Sequence, residues 1–137
     1  MLSTSQLQTI LAEKKLKVTT QRVAIYKLLA QLGHASADEI AACMSGRKSK
    51  TSVATIYNVL ECFADNGIIS RLNTESSKFY YDVTPSNHPH VICNKTNKIV
   101  DYKDDALQRM VDEYVKEKQI NGFKLSSVRI QLIGTFD

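Results

Sequence analysis

Residues 51–67 place Val53, Ile56, Leu60 and Phe63 at spacings of three, four and three, so they share one face of a helix. Thr51 or Ser52 can cap the start of that helix, and Gly67 can stop it just after Asn66. Shorter helical patterns precede it. Residues 5–15 carry Leu7, Ile10 and Leu11 at helical spacing. A second helix opens at Thr19 or Thr20, with Val23, Tyr26, Leu28, Leu29 and Leu32 as its apolar side, and ends near Gly33 and His34. Ser36-Ala37-Asp38-Glu39 is a capping box that starts a third helix, with Ile40, Ala41 and Met44, and Gly46 stops it. Residues 68–72 and 78–83, either side of a polar stretch, read as a two-stranded hairpin. Helices followed by a hairpin describe a winged helix-turn-helix, in which the fourth helix enters the major groove of DNA.

The side of that helix away from the apolar face carries Ser52, Thr55, Tyr57 and Asn58. Tyr57 and Asn58 can reach phosphate or base edges, and Thr51 and Ser52 sit at a helix N-terminus, where backbone N–H groups bind phosphate. The alternative is a half-buried Tyr57 and a solvated Asn58. Charge sharpens the choice, because residues 14–50 hold Lys14, Lys15, Lys17, Arg22, Lys27, Arg47, Lys48 and Lys50 against Asp38 and Glu39 alone. Such a basic stretch suits an anionic partner, and Lys14, Lys15, Lys17, Arg22 and Lys50 are the candidate backbone contacts on double-stranded DNA.

Beyond Thr84 the pattern changes. Residues 91–93 and 98–100 are short apolar strands about a turn at residues 94–97. An amphipathic helix follows from about Asp104, with Leu107, Met110, Val111, Tyr114 and Val115 as its buried stripe. Gly122 ends the linker after it, and Val128, Ile130 and Leu132 alternate with Arg129, Gln131 and Ile133 in a closing strand. The expected fold class is α+β: a winged-helix DNA-binding domain over residues 1–83, a hinge at 84–87, and a small α/β dimerisation domain over 88–137. The second domain is too small to bury a sufficient core alone, so a homodimer is expected.

The 137 residues leave no room for a separate catalytic domain. No apolar run approaches the roughly 18 residues that span a bilayer, and no export signal opens the chain, so a cytoplasmic protein is expected. Cys43, Cys62 and Cys93 form no CxxC pair, which excludes a four-thiolate zinc clamp within one chain. Cys43 and Cys62 lie within apolar helical patterns and are expected to be buried thiols.

The chain has three histidines, and all three can be read as ligands of one metal. In His88-Pro89-His90 the alternation of an extended segment puts both imidazoles on one side. Asp82 and Asp101 each lie one short segment away, and His34 lies at the end of the second helix. Imidazole nitrogens with carboxylate oxygens and no thiolate suit ferrous iron or manganese and also accept zinc. The competing reading is a chance pair of histidines on an exposed strand beside ordinary solvated aspartates.

Thr20-Gln21-Arg22, His34-Ala35-Ser36-Ala37-Asp38-Glu39-Ile40, Ser52-Val53-Ala54-Thr55-Ile56-Tyr57-Asn58-Val59-Leu60, residues 79–83, His88-Pro89-His90-Val91-Ile92-Cys93 and Lys98-Ile99-Val100-Asp101 resemble the ferric uptake regulator family in order and spacing. The resemblance covers nearly the whole chain and is strongest to the peroxide-responsive repressors. It implies one regulatory Fe(II) or Mn(II) ion per chain, with zinc acceptable in vitro, on His34, Asp82, His88, His90 and Asp101. Aspartate at 101, where iron-sensing relatives tend to carry glutamate, points to peroxide sensing. The implied mechanism is repression by the metal-loaded dimer on operator DNA and release when His34 or His88 is oxidised. Hydrogen peroxide is then the only small molecule used, and no membrane is involved. Two departures stand out. Many relatives hold structural zinc on two CxxC motifs, but here the first reads Cys93-Asn94-Lys95-Thr96 and the chain ends before a second, so no structural zinc is expected. Asn87 and Pro89 replace the ligands of an additional metal site found in some relatives. The alternatives are a ferric- or zinc-uptake regulator of the same fold and, more distantly, a non-haem metal enzyme; the protein is read as a non-enzyme.

Overall fold

Local capping chemistry sets where the helices begin. In the computed structural model, which describes residues 1–44, 51–74, 77–85 and 88–136, Ser3 and Gln6 form a reciprocal capping box at the start of α1 (Thr4–Glu13). Thr19 accepts from the Arg22 amide and opens α2 (Thr20–Leu32). The expected box at Ser36 and Glu39 forms, with the Glu39 amide donating to Ser36 Oγ and the Ser36 amide to Glu39 Oε1, and starts α3 (Ala37–Met44). Ser52 Oγ accepts from the Thr55 amide and opens α4 (Val53–Asp65). Gly67, at φ +70°, closes α4 with a Schellman pair: its own amide donates to Ala64 O and that of Ile68 to Phe63 O. Gly46, the expected stop of α3, and Arg47, Lys48 and Lys50 lie outside the described residues.

Contacts divide the chain into two compact units, Met1–Pro85 and Ser86–Asp137. In the first unit Leu7 and Leu11 of α1, Ile25, Tyr26 and Leu29 of α2, Ile40 of α3 and Ile56, Leu60 and Phe63 of α4 meet in one core. Tyr26 and Phe63 pack edge to face with centroids 6.2 Å apart. Two expectations fail at helix ends. Leu32 is exposed because Gly33, at φ +80°, turns the chain away at once, and Ile25 takes the place in the core. Val53 is exposed because the first turn of α4 projects past the core, whereas Val59 is buried further along. Cys43 is exposed beside the Ile40 and Met44 stripe, and Cys62 is half-buried, so neither is the buried thiol expected of it.

A three-stranded antiparallel sheet flanks this core in the order β1-β3-β2, from β1 (His34–Ser36), β2 (Ser70–Leu72) and β3 (Tyr80–Asp82). The hairpin of β2 and β3 was expected; β1 was not, since three residues between two helices leave no periodicity to read. Glu75 and Ser76, in the loop of that hairpin, lie outside the described residues.

The second unit joins β4 (His90–Cys93), β5 (Ile99–Asp101) and β6 (Gln131–Gly134) in the order β5-β4-β6, with β4 antiparallel to β5 and parallel to β6. The turn before β5 is tight, with Asn97 at φ +60° and its amide donating to Cys93 O. Asp104 caps α5 (Asp105–Glu117) by accepting from the Leu107 amide. The expected buried stripe of α5 is not buried within one chain. Met110 is 65% and Tyr114 61% exposed, Leu107, Val111 and Val115 are half-buried, and no residue of the helix is fully covered. Three short strands offer too little opposing surface to cover it. Val128 and Ile130 precede β6 rather than lying in it. Among the described residues no helix is long and apolar enough to cross a membrane.

Phe63→Ala removes a fully buried ring and should lower stability by about 3–5 kcal/mol in urea denaturation, whereas Val53→Ala should change it by less than about 0.5 kcal/mol.

Candidate metal centre and nucleic-acid face

In the first unit the antiparallel register of β1 and β3 sets His34 opposite Asp82. The pairing continues through Val83, whose amide donates to Gly33 O at 3.1 Å. His34 Nε2 lies 3.4 Å from Asp82 Oδ2, while Asp82 Oδ1 accepts from the Thr84 amide at 2.8 Å. Asp82 is only 2% exposed, and a carboxylate that deep is tolerable only when both oxygens have partners.

The second unit repeats the device. The register of β4 and β5 sets His90 opposite Asp101, and His88, two residues earlier, joins them. Asp101 Oδ1 is 2.9 Å from His88 Nε2 and 3.5 Å from His90 Nε2, and the two imidazole centroids are 4.3 Å apart. Backbone bonds on both flanks hold this segment: the Tyr102 amide donates to Pro89 O and the His90 amide to Ile130 O. One donor atom from each of His88, His90 and Asp101 lies within 4.8 Å of the others. Neutral imidazoles and ionised carboxylates are lone-pair donors without sulfur, a set that fits ferrous iron, manganese or zinc.

The outward side of α4 carries the other group of candidates. Ser52 and Asn58 are exposed, and Thr51, Thr55 and Tyr57 are half-buried. Part of their capacity is already used: Ser52 Oγ lies 2.8 Å from Thr55 Oγ1, and Gln21 Nε2 donates to Thr51 Oγ1 at 3.4 Å. The Tyr57 ring packs against Phe79 at 5.9 Å; sequence reasoning gave no role to Phe79, which is exposed immediately before β3. Lys14, Lys15 and Lys17 are exposed. Arg22 differs, since its Nη1 donates to Lys17 O at 2.7 Å and so braces the turn between α1 and α2. Lys50 lies outside the described residues.

Sequence reasoning also missed an ionic cluster that ties α4 to β2 and β3. Arg71 of β2 grips Glu61 of α4 through Nε and Nη2, and Nη2 also reaches Asp65 at 2.5 Å. Tyr81 of β3 donates its hydroxyl to Glu61 Oε2 at 2.6 Å. The Arg71 guanidinium holds the Glu61 carboxyl below the usual range, and burial together with that carboxylate pushes the Tyr81 phenol well up. The available signal was the pair of acids four residues apart on one helix face, followed by a lone arginine in the next strand.

The sequence profile of the Ferric uptake regulator family matches residues 13–133. The chain is 33% identical over 125 residues to a peroxide operon regulator of Bacillus subtilis, covering 90% of this chain and 84% of that protein. It is 36% identical over 127 residues to a peroxide-responsive repressor of Staphylococcus saprophyticus, covering 92% and 84% respectively. Among solved structures, the ferric uptake regulator of Vibrio cholerae superposes with a TM-score of 0.77 at 26% identity, over 95% of this chain and 99% of that one.

Cys93, the buried cysteine, sits where the Thr96 hydroxyl and the backbone N–H groups of Phe136, Thr96 and Lys95 point at its sulfur, and they lower its thiol from 9.0 to about 6. A depressed folded value makes this contribution to stability fully present above the ordinary thiol range and lost as pH falls through about 6. Ultraviolet titration of the thiolate should therefore show a midpoint near 6 that rises in Thr96→Val, and Cys93→Ser should cost more stability at pH 9 than at pH 6.

Proposed function

This chain belongs to the Ferric uptake regulator family, and from that premise we propose that it is a dimeric repressor whose hold on operator DNA depends on one Fe(II) or Mn(II) ion and is broken by hydrogen peroxide. The observation that carries the reading is the pair of strand registers that set His34 opposite Asp82 and His90 opposite Asp101. Each supplies a half-set of ligands of the same chemistry, and His88 completes the second. All five would serve a single ion, without structural zinc and with zinc as a substitute in vitro.

Residues 1–83 then read DNA, 84–87 form the hinge and 88–137 pair two copies. The uncovered stripe of α5 around Met110 and Tyr114 is apolar area that a second chain can bury. On the reading side, Asn58 and Tyr57 face base edges, Thr55 and the Ser52 end of α4 hold phosphate, and the exposed lysines before α2 add the salt-dependent attraction. His34 and Asp82 come from the reading part and His88, His90 and Asp101 from the pairing part. Holding one ion jointly restricts the hinge, and the population shifts toward the form that fits two half-sites.

Ferrous iron held by these residues would supply the reduction of hydrogen peroxide to water beside the imidazoles, chemistry that manganese would supply only slowly. His34 or His88 is the residue oxidised as the peroxide is reduced. An oxidised imidazole has lost donor strength, so the grip on the ion weakens, the hinge is released and the repressor leaves DNA. The protein acts in the cytoplasm, as a switch that consumes peroxide once per site rather than as an enzyme.

Both metals should raise affinity for operator DNA, and peroxide should reverse only the iron-loaded complex, with added oxygen found by mass spectrometry on the peptide of His34 or His88. His34→Ala should abolish the metal dependence while the fold, read by circular dichroism, persists. Metal-dependent operator binding by folded His34→Ala protein would refute the shared site.

A further inference from the structure

Strand β3 carries two adjacent buried residues that point to opposite faces of its sheet, Tyr81 and Asp82. Asp82 faces His34, and Tyr81 reaches the other way to Glu61 on α4. Glu61 lies four residues after Tyr57 and three after Asn58, so it belongs to the same stretch of helix surface as those two. From the proposed metal-dependent repression, we infer that Glu61 and Tyr81 are positioning residues: they transmit the state of the Asp82 carboxylate to the DNA-facing part of α4.

The linkage is short and stiff. A tyrosine ring has two side-chain torsions, and this one is fully buried. Its hydroxyl meets an ionised carboxylate at 2.6 Å, the length of a charge-assisted bond. The receiving carboxylate is also held by Arg71 of β2, the cross-strand partner of Tyr81, so the sheet grips Glu61 at two points. A displacement of β3 as the Asp82 carboxylate is drawn toward or released from a cation therefore has to be taken up by α4 as a body. Arg71 and Asp65 extend the clamp to the last turn of the helix.

Coupling between two ligands is reciprocal and is measured as a ratio of affinities, which a merely structural residue does not move. The test uses full-length wild-type protein, Tyr81→Phe and Glu61→Gln, with a duplex selected from a random pool by the manganese-loaded wild type. Affinity for this duplex is measured with and without manganese, manganese affinity with and without the duplex, and melting temperature for each protein. Tyr81→Phe is expected to reduce the manganese-dependent gain in DNA affinity by about fivefold or more, and the DNA-dependent gain in manganese affinity by the same factor. Manganese affinity of the free variant is expected to stay within about twofold of wild type, and Glu61→Gln, which keeps an acceptor without charge, to fall between the two. A gain as large as wild type in both variants overturns the coupling role alone, whatever the melting temperatures. Loss of manganese binding by free Tyr81→Phe also overturns it, because Tyr81 would then only support the ligand Asp82. A wild type with no manganese-dependent gain overturns the metal-switch reading and this inference with it.

Discussion

Antiparallel register is the constraint on which the candidate centre depends. A histidine opposite an aspartate across two strands is fixed by backbone hydrogen bonds, so neither side chain has to be held in place by long-range packing. The first unit does this at the edge of a helical core, where Asp82 is deeply buried. The second does it in a small sheet with little core behind it, where Asp101 remains open to solvent. A one-residue slip in either pairing would turn one partner to the far face and dissolve its half-set.

The two units also differ in what holds them. The first rests on wholly covered side chains from all four of its helices, and its helix ends are satisfied by Ser3, Thr19, Ser36, Ser52 and Gly67. In the second, only Pro89, His90, Ile92 and Cys93 are buried among the described residues. Cys93 closes the end of β4 with a ring of donors around one sulfur. Here a hydroxyl and backbone amides serve that thiol.

Legibility in the sequence followed the length of the local signal. Helix starts were readable because a cap needs only a serine or threonine in the right relation to an apolar stripe, and the three expected, at α2, α3 and α4, all form. Apolar stripes were readable in the middle of α4, at Ile56, Leu60 and Phe63, and unreliable at its first turn, where Val53 emerges from the core. Strand β1 was invisible because three residues carry no period. The α5 stripe was correctly seen as apolar but is not buried within one chain, since periodicity reports which face is greasy and not whether the same chain covers it. Histidine and aspartate identities were legible; their face-to-face pairing belongs to registers that no spacing encodes. The Glu61, Arg71 and Tyr81 cluster left only a faint trace, the two acids on one helix face, because its members lie ten and twenty residues apart on three different elements.

Helix α4 contains no lysine or arginine, and its acids, Glu61 and Asp65, both fall in its second half. The peptide dipole leaves positive character at the Ser52 end, so the field along the axis runs from positive there to negative at Asp65, with Arg71 neutralising only part of the latter. A polyanion approaching this rod meets attraction at one tip and repulsion at the other. The axis of α4 is thereby polarised, favourable to an anion at its Ser52 end and unfavourable at its Asp65 end.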